Sequence, residues 1–477
     1  MLFPTVDFAV FFVVVFTLSW LTRPYKRLWR WVILAASCVF YGWWDWHYLF
    51  LLLGSAVVNW AFGKAIYQAL TPEGDRTTKS KWLVRAAVVV NLAALGYFKY
   101  FEFFATSIAD RLRSLGFHVD APVLNIVLPV GISFFTFQAM SYVIDIGRGQ
   151  WRRPVPLLDF SVYLSFFAHL VAGPIVRASE FIPQLDQDPD PRYVRSSEAF
   201  MLIFRGMFKK VVISSFLASQ IVDPVFALPN AYDRWAVLWA IYAYAIQIYA
   251  DFSGYTDIAI GVALLLGVRF PQNFDAPYRS LSLQDFWRRW HMTLSRWLRD
   301  YLYIPLGGNR GSKLFTYRNL FLVMLIGGLW HGANWTFVVW GAIHGGYLVG
   351  ERIVKEKWRG HELGLPVRVV KTLQWVLTFN VVCLAWVFFR AQSVDGAFDV
   401  LGRLFAGGGR SYVGILVIVT VVASIASQFV RPDIPEKAES WFGKLAPALQ
   451  IGALAAGLVL VDALGPEGIA PFIYFQF

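Results

Sequence analysis

The sequence predicts an all-α polytopic membrane protein, and three observations predict it. Of its 477 residues 57% are hydrophobic and 18% aromatic, while only 16% are charged; an average soluble domain carries about 25% charged residues. Apolar stretches of about 20 residues, the length that crosses a bilayer as a helix, recur from one end to the other. The Lys and Arg residues gather mostly between those stretches.

Taken in order, the apolar windows are 5–22, 31–44 running into 47–63, 83–98, 122–146, 233–250, 319–350, 372–391, 411–430 and 446–464. They predict about 11 or more membrane segments. The first window, "FPTVDFAVFFVVVFTLSWL", has no basic region before it and no small-residue cleavage site after it, so it reads as a retained helix and not a signal peptide. Cys38 and Cys383 both lie in apolar segments and suggest neither a metal site nor a disulfide framework.

The net charge of +12 follows the positive-inside pattern and does not point to nucleic acid. Stretches 23–30, 64–85, 279–318 and 352–371 hold four, five, eight and six Lys or Arg residues. All four are expected to be cytoplasmic. Counting crossings then places the N-terminus outside, and the C-terminus outside after segments 372–391, 411–430 and 446–464. The whole reads as one integral-membrane domain, 1–477: N-terminal helices over 1–268, an interfacial helix and re-entrant hairpin over 269–350, and C-terminal helices with an aromatic tail over 351–477.

Two elements in the middle carry the chemistry. Ser282 and Asp285 give an S-x-x-D capping signal. After it Phe286, Trp287, Trp290, Leu294, Trp297, Leu298 and Tyr301 recur at helical spacing, with His291 on the same apolar face. This predicts an amphipathic helix at the interface, ended by "PLGGNRG". The apolar run 319–350 follows, flanked by basic loops on both sides. Its 32 residues are too few for two crossings, so it is expected to dip part-way as a hairpin, broken near its tip by Gly327, Gly328, Gly332 and Asn334. His331 lies 12 residues beyond Asn319, about 18 Å along a helix and near the bilayer midplane.

An ionisable group at membrane depth is costly and marks function more often than it does elsewhere. Neutral imidazole suits general-base chemistry near physiological pH. His331, with His291 meeting it from the cytoplasmic side, could take a proton from a hydroxyl attacking an activated acyl carbon. "ADFSGYTDIAIG" buries Asp251 and Asp257 in an apolar region; a hydrogen-bond network that organises helices is favoured over an ion path. His169 and His344 carry weaker individual claims. "PVGISFFTFQAMSYVIDI" and "HLVAGPIVR" read as close-packing segments. No P-loop, dinucleotide fingerprint, HExxH or nucleophile elbow is present, and neither a metal nor a bound cofactor is expected.

"DFWRRWHMTLSRWLRDYLYIPLGGNR" followed by "GGLWHGANWTFVVWGAIHG" resembles the membrane-bound O-acyltransferase (MBOAT) superfamily. Within it the likeness is to the bacterial branch serving alginate O-acetylation and teichoic-acid D-alanylation. "FYGWWDW", "PVGISFFTFQ", "AGPIVR", "DFSGYTDIAIG", "NFDAPYRS" and "WVFFRA" extend the resemblance over nearly the whole chain. It implies a ring of tilted helices around a thinned centre, with a tunnel from cytoplasm to exterior. His331 would be the catalytic residue, and His291 would orient the acyl donor. Trp290, Trp330, Asn334, Asp251 and Asp257 would line or support the tunnel.

The implied co-substrate is acyl-CoA (acetyl-CoA) or an acyl carrier protein. Arg279, Arg288, Arg289, Arg296 and Lys313 cluster where such an anion would arrive, although positive-inside topology explains the same charges equally well. The implied partners are an extracytoplasmic SGNH-type acetyltransferase and a polysaccharide acceptor, in a bacterial cytoplasmic (inner) membrane and among its lipids. The tail "PFIYFQF" reads as an aromatic interfacial anchor. It also resembles a C-terminal motif of the branch whose tyrosine, here Tyr474, would carry the acyl group. The function expected is transfer of an acyl, most simply acetyl, group across the membrane to an envelope polysaccharide. D-alanyl or other acyl transfer is the near alternative. A transporter of a small acid or lipid is the distant one, disfavoured because the broken element occurs once and not in repeated halves.

Overall fold

A computed structural model describes residues 1, 3–120, 124, 126–151, 153–171, 173–187, 194–357, 364–431, 433–465 and 473. All regular structure among the described residues is helical; one isolated bridge joins Tyr232 and Arg410. Among the described residues five helical runs are long and apolar enough to cross a membrane: His47–Gln68, Thr78–Ser114, Arg234–Leu265, Val367–Arg390 and Pro447–Leu464. Other apolar windows fold as shorter helices, including Val6–Thr22 and Ile415–Ser427.

The chain forms two compact units. The first comprises Met1–Ala199 and Ala259–Pro271. Its helices include α1 (Val6–Thr22), α2 (Lys26–Gly42), α3 (His47–Gln68), α4 (Thr78–Leu95) and α5 (Ile132–Gly147). Thr5 starts α1 by accepting the Phe8 N–H at 3.2 Å. The outer face of α1 exposes Val6, Val10, Val13, Val14, Leu18 and Leu21, a surface that suits hydrocarbon and not water. α5 is buried almost throughout and packs against α3 and α4.

The second unit comprises Phe200–Ile258 and Gln272–Phe477. Its main elements are α6 (Arg234–Leu265, whose last turns belong to the first unit), α7 (Leu283–Arg289), α8 (Met292–Leu298), α9 (Lys313–His331), α10 (Trp335–Lys357) and α11 (Val367–Arg390). α9 and α10 are the two arms of the hairpin. Ser312 caps α9 by accepting the Phe315 N–H at 3.3 Å. The arms cross at glycines: a Cβ on Gly328 would lie 2.3 Å from the Phe337 carbonyl oxygen, and one on Gly341 would lie 2.6 Å from that of Met324. Gly327 and Gly328, expected to break the helix, thus remain helical, and at Gly328 the missing side chain lets the arms touch.

The break falls at 332–334. α9 ends at His331, and Gly332 is extended. The Asn334 side chain accepts the Thr336 N–H at 3.0 Å and donates to the Gln392 carbonyl at 2.9 Å. The arms run past the apolar stretch into its basic flanks, to 19 and 23 residues. That gives about 28 and 34 Å, against about 30 Å of hydrocarbon, so length alone does not limit the hairpin to a partial dip. His331 stands at the far end of its arm from Lys313.

Replacing Gly341 with Ala would press a methyl group onto main-chain atoms that have no torsion with which to yield. We expect Gly341→Ala to cost about 1–3 kcal/mol and to lower the melting temperature of the detergent-solubilised protein. Gly346→Ala, with nothing within 4 Å of its Cβ position, should not lower the melting temperature, since Ala is favoured over Gly in a helix interior.

Candidate active site

The expected continuous helix over 283–301 is interrupted at its centre. Ser282 does cap it, accepting the Asp285 N–H at 3.1 Å. α7 then stops at Arg289, Trp290 is extended, and His291 adopts the left-handed conformation at φ 43° and ψ 54°. Only Ala276 shares a positive φ among the described non-glycine residues. Such a backbone persists only where its surroundings hold it, and it is found most often at functional sites.

Asn273 is what holds it. The Asn273 carbonyl oxygen accepts the Met292 N–H at 2.9 Å. Its side-chain Oδ1 accepts the Thr293 N–H at 3.1 Å and the Thr293 hydroxyl at 2.9 Å. Asn273 therefore caps α8 from a distant position in the chain. The same Oδ1 lies 3.2 Å from His291 Nδ1. A backbone N–H can only donate, so the Asn273 atom shared with Thr293 is an oxygen, and His291 Nδ1 must carry the proton. The imidazole lone pair then resides on Nε2. His291 lies outside the five apolar spans, and burial pushes its pKa below the ordinary range, so it is neutral at physiological pH.

His331 is the last residue of α9 and is buried. Its ring is walled edge-to-face by Trp330 (5.0 Å between centroids), Trp340 (5.1 Å) and Phe389 (5.2 Å). Trp330 also meets the His291 ring, at 6.2 Å, and so touches both histidines. Phe252 of α6 closes the other side of His291, at 4.7 Å and 90°. Trp386 of α11 stacks on Trp340 at 5.8 Å and touches Trp290 at 5.0 Å. Behind this wall the Trp287 indole N–H donates to His344 Nδ1 at 3.3 Å.

The remaining candidates divide by role. Asp257 accepts from Arg205 and Lys209, and Asp251 accepts from Lys210. Asn334 ties the hairpin tip to the chain after α11, as described above. Arg289 is engaged by Asp285 at 3.0 Å and Asp275 at 2.8 Å, and Arg279 approaches Asp275 at 3.6 Å; Arg288 is exposed. A cleft of about 560 Å³ opens beside α7, where Lys313, Arg352 and Lys355 face Glu351 and Glu356. Tyr474 lies outside the described residues. Sequence reasoning missed Asn273, although it opens the motif "NFDAPYRS"; it missed Trp340, Trp386 and Phe389 because each reads as an ordinary core residue.

Residues 148–391, slightly more than half of the chain and including both histidines, match the model of the MBOAT, membrane-bound O-acyltransferase family. The chain belongs to that family. It is 39% identical to a probable alginate O-acetylase of Azotobacter vinelandii, over 94% of each chain. A peptidoglycan O-acetyltransferase of Helicobacter pylori is 40% identical, covering 81% of this chain and 75% of the relative. A teichoic acid D-alanyltransferase of Bacillus subtilis is 28% identical, covering 57% and 71%. Membership decides between the classes that the sequence left open: the protein is a multi-pass membrane acyltransferase and not a transporter.

Because Asn273 fixes both the backbone and the tautomer of His291, Asn273→Ala should lower the initial rate of acyl transfer in purified protein. A loss of roughly tenfold to a hundredfold is expected, the range produced by misplacing a catalytic group. Asn273→Asp, which retains the acceptor oxygen, should lose less.

Proposed function

We propose that this membrane acyltransferase works as one domain over 1–477 and moves an acetyl group from a cytoplasmic thioester to an extracytoplasmic polysaccharide. The observation that carries the reading is that the rings of His291 and His331 both meet Trp330, within one buried aromatic cluster. The O-acetylating relatives, at 39–40% identity, favour acetyl over D-alanyl, for which the relative stands at 28%. The donor class is an acyl thioester, acetyl-CoA or an acylated carrier protein, arriving from the face bearing Arg288 and the Lys313 cleft.

In this reading the acceptor in the membrane is the Tyr474 hydroxyl, with the C-terminal tail entering from the extracytoplasmic side. The phenolic oxygen attacks the thioester carbonyl carbon while His331 takes the phenolic proton. The carbon–sulfur bond breaks, and the leaving thiolate takes that proton from the imidazolium. His291, through Nε2, orients the donor. The aryl ester formed remains activated, and an extracytoplasmic SGNH-type acetyltransferase can pass the acetyl group to a polymer hydroxyl. The membrane is the bacterial cytoplasmic (inner) membrane.

His331→Ala should reduce acetyl-CoA-dependent acyl transfer by at least about a hundredfold, the lower bound for a general base, with expression unchanged. His291→Asn should retain more activity than His291→Ala, since asparagine still offers a polar positioning group. Near-normal turnover of His331→Ala, measured with radiolabelled donor, would overturn the assignment.

Tyr474→Phe retains the ring and removes only the hydroxyl. In cells carrying all partners it should abolish polymer acetylation; a wild-type level would leave the tail as an anchor alone.

A further inference from the structure

Asp251 lies near the middle of α6, and both it and Lys210 are buried. Lys210 comes from the π-helical turn Phe208–Ser214, which follows the helix Ser196–Met207. One carboxylate oxygen of Asp251 accepts the Lys210 ammonium and, at 3.4 Å, the Ser214 hydroxyl. The other accepts a backbone N–H at 2.9 Å from Ile473, 222 positions further along the chain. In mid-helix every backbone N–H is already committed to the helix ladder, so the second oxygen needs a donor from elsewhere. An N–H in an apolar interior equally needs an acceptor. Ile473 is itself buried, at 2% exposure.

The residue after Asp251 is Phe252, whose ring abuts His291, and consecutive helical residues differ by only about 1.5 Å along the axis. Ile473 is therefore bonded to the residue next to the one whose ring meets His291. The helix Pro447–Leu464 also lies on the Lys210 side, packing on the Phe208–Ser214 turn. A Cβ on Gly465 would come within 2.8 Å of Val211.

We propose that the Lys210–Asp251 pair is a latch for the C-terminal tail: it binds the tail backbone at Ile473, one residue before Tyr474 in the sequence. The consequence for catalysis rests on Tyr474 being the acyl carrier; the latch itself does not. Asp251 is on this account a positioning residue. A carboxylate paired with an ammonium is a strong acceptor, so the hydrogen bond to Ile473 is of the charge-assisted kind.

The test is carried out on full-length protein in which Cys38→Ala and Cys383→Ala remove the native thiols and Ile473→Cys introduces one. Its rate of labelling by a membrane-impermeant maleimide is measured from the extracytoplasmic side. Lys210→Met with Asp251→Leu removes both charges and the acceptor together, avoiding an unpaired buried ion; Lys210→Met with Asp251→Asn keeps a neutral acceptor. The first pair should raise the labelling rate roughly tenfold or more, the scale of one lost hydrogen bond to a charged group, and the second pair should raise it less. Melting temperature serves as the control for folding. An unchanged labelling rate in the folded Leu variant would overturn the latch. Increased labelling with unimpaired polymer acetylation would uphold the latch and overturn the Tyr474 relay.

Discussion

One carboxamide organises the centre of this protein. Asn273 contributes two oxygens, and between them they satisfy the first N–H groups of α8, the Thr293 hydroxyl and one nitrogen of His291. At this burial each of those groups would otherwise be a desolvated polar atom without compensation. The helix that hydrophobic periodicity prescribes must break for His291 to face the chamber, and it can break only because the freed N–H groups have somewhere to go. The left-handed φ of His291 is the local cost of that arrangement, and the Asn273 hydrogen bonds offset it.

Around the two imidazoles the walls are aromatic: Phe252, Trp330, Trp340, Trp386 and Phe389. Aromatic edges present partial positive charge and their faces partial negative charge, so edge-to-face packing fixes ring orientation without consuming hydrogen-bond capacity. A shell of this kind admits little water, which would suppress hydrolysis of an activated acyl group bound against it. Asp251 and Asp257 are engaged by Lys210, Lys209 and Arg205 on the side of the Ser196–Ser214 segment.

The membrane class, most helical segments, the helical hairpin and the burial of His291 and His331 could be read from the sequence because each depends on local pattern: apolar length, basic flanks, capping residues and a polar group where polarity is expensive. What could not be read depends on long-range partners. Period 3.6 continues unbroken through Trp290 and His291, and nothing local reveals that Asn273, 18 positions earlier, supplies the caps for a second helix. Gly327 and Gly328 carry the same composition signal whether they end a helix or let another one approach; only the partner arm distinguishes the two. Trp340 and Trp386 look like core residues because they are core residues, and only the fold shows that the core they build surrounds His331.

The hairpin crossing has a further consequence. Where α9 meets α10 through Gly328 and Gly341, main chain touches main chain. A side-chain contact can be retuned by choosing another rotamer or a residue one methylene larger or smaller; a main-chain contact offers no such increments. His331, at the end of one arm, and Trp340, six residues into the other, are therefore held at a spacing that gradual substitution cannot adjust. If the transferred group lies against these rings, divergence in its size would have to be absorbed by walls that belong to other helices, Phe252 on α6 and Phe389 on α11. The hairpin acts as the invariant gauge against which those walls move.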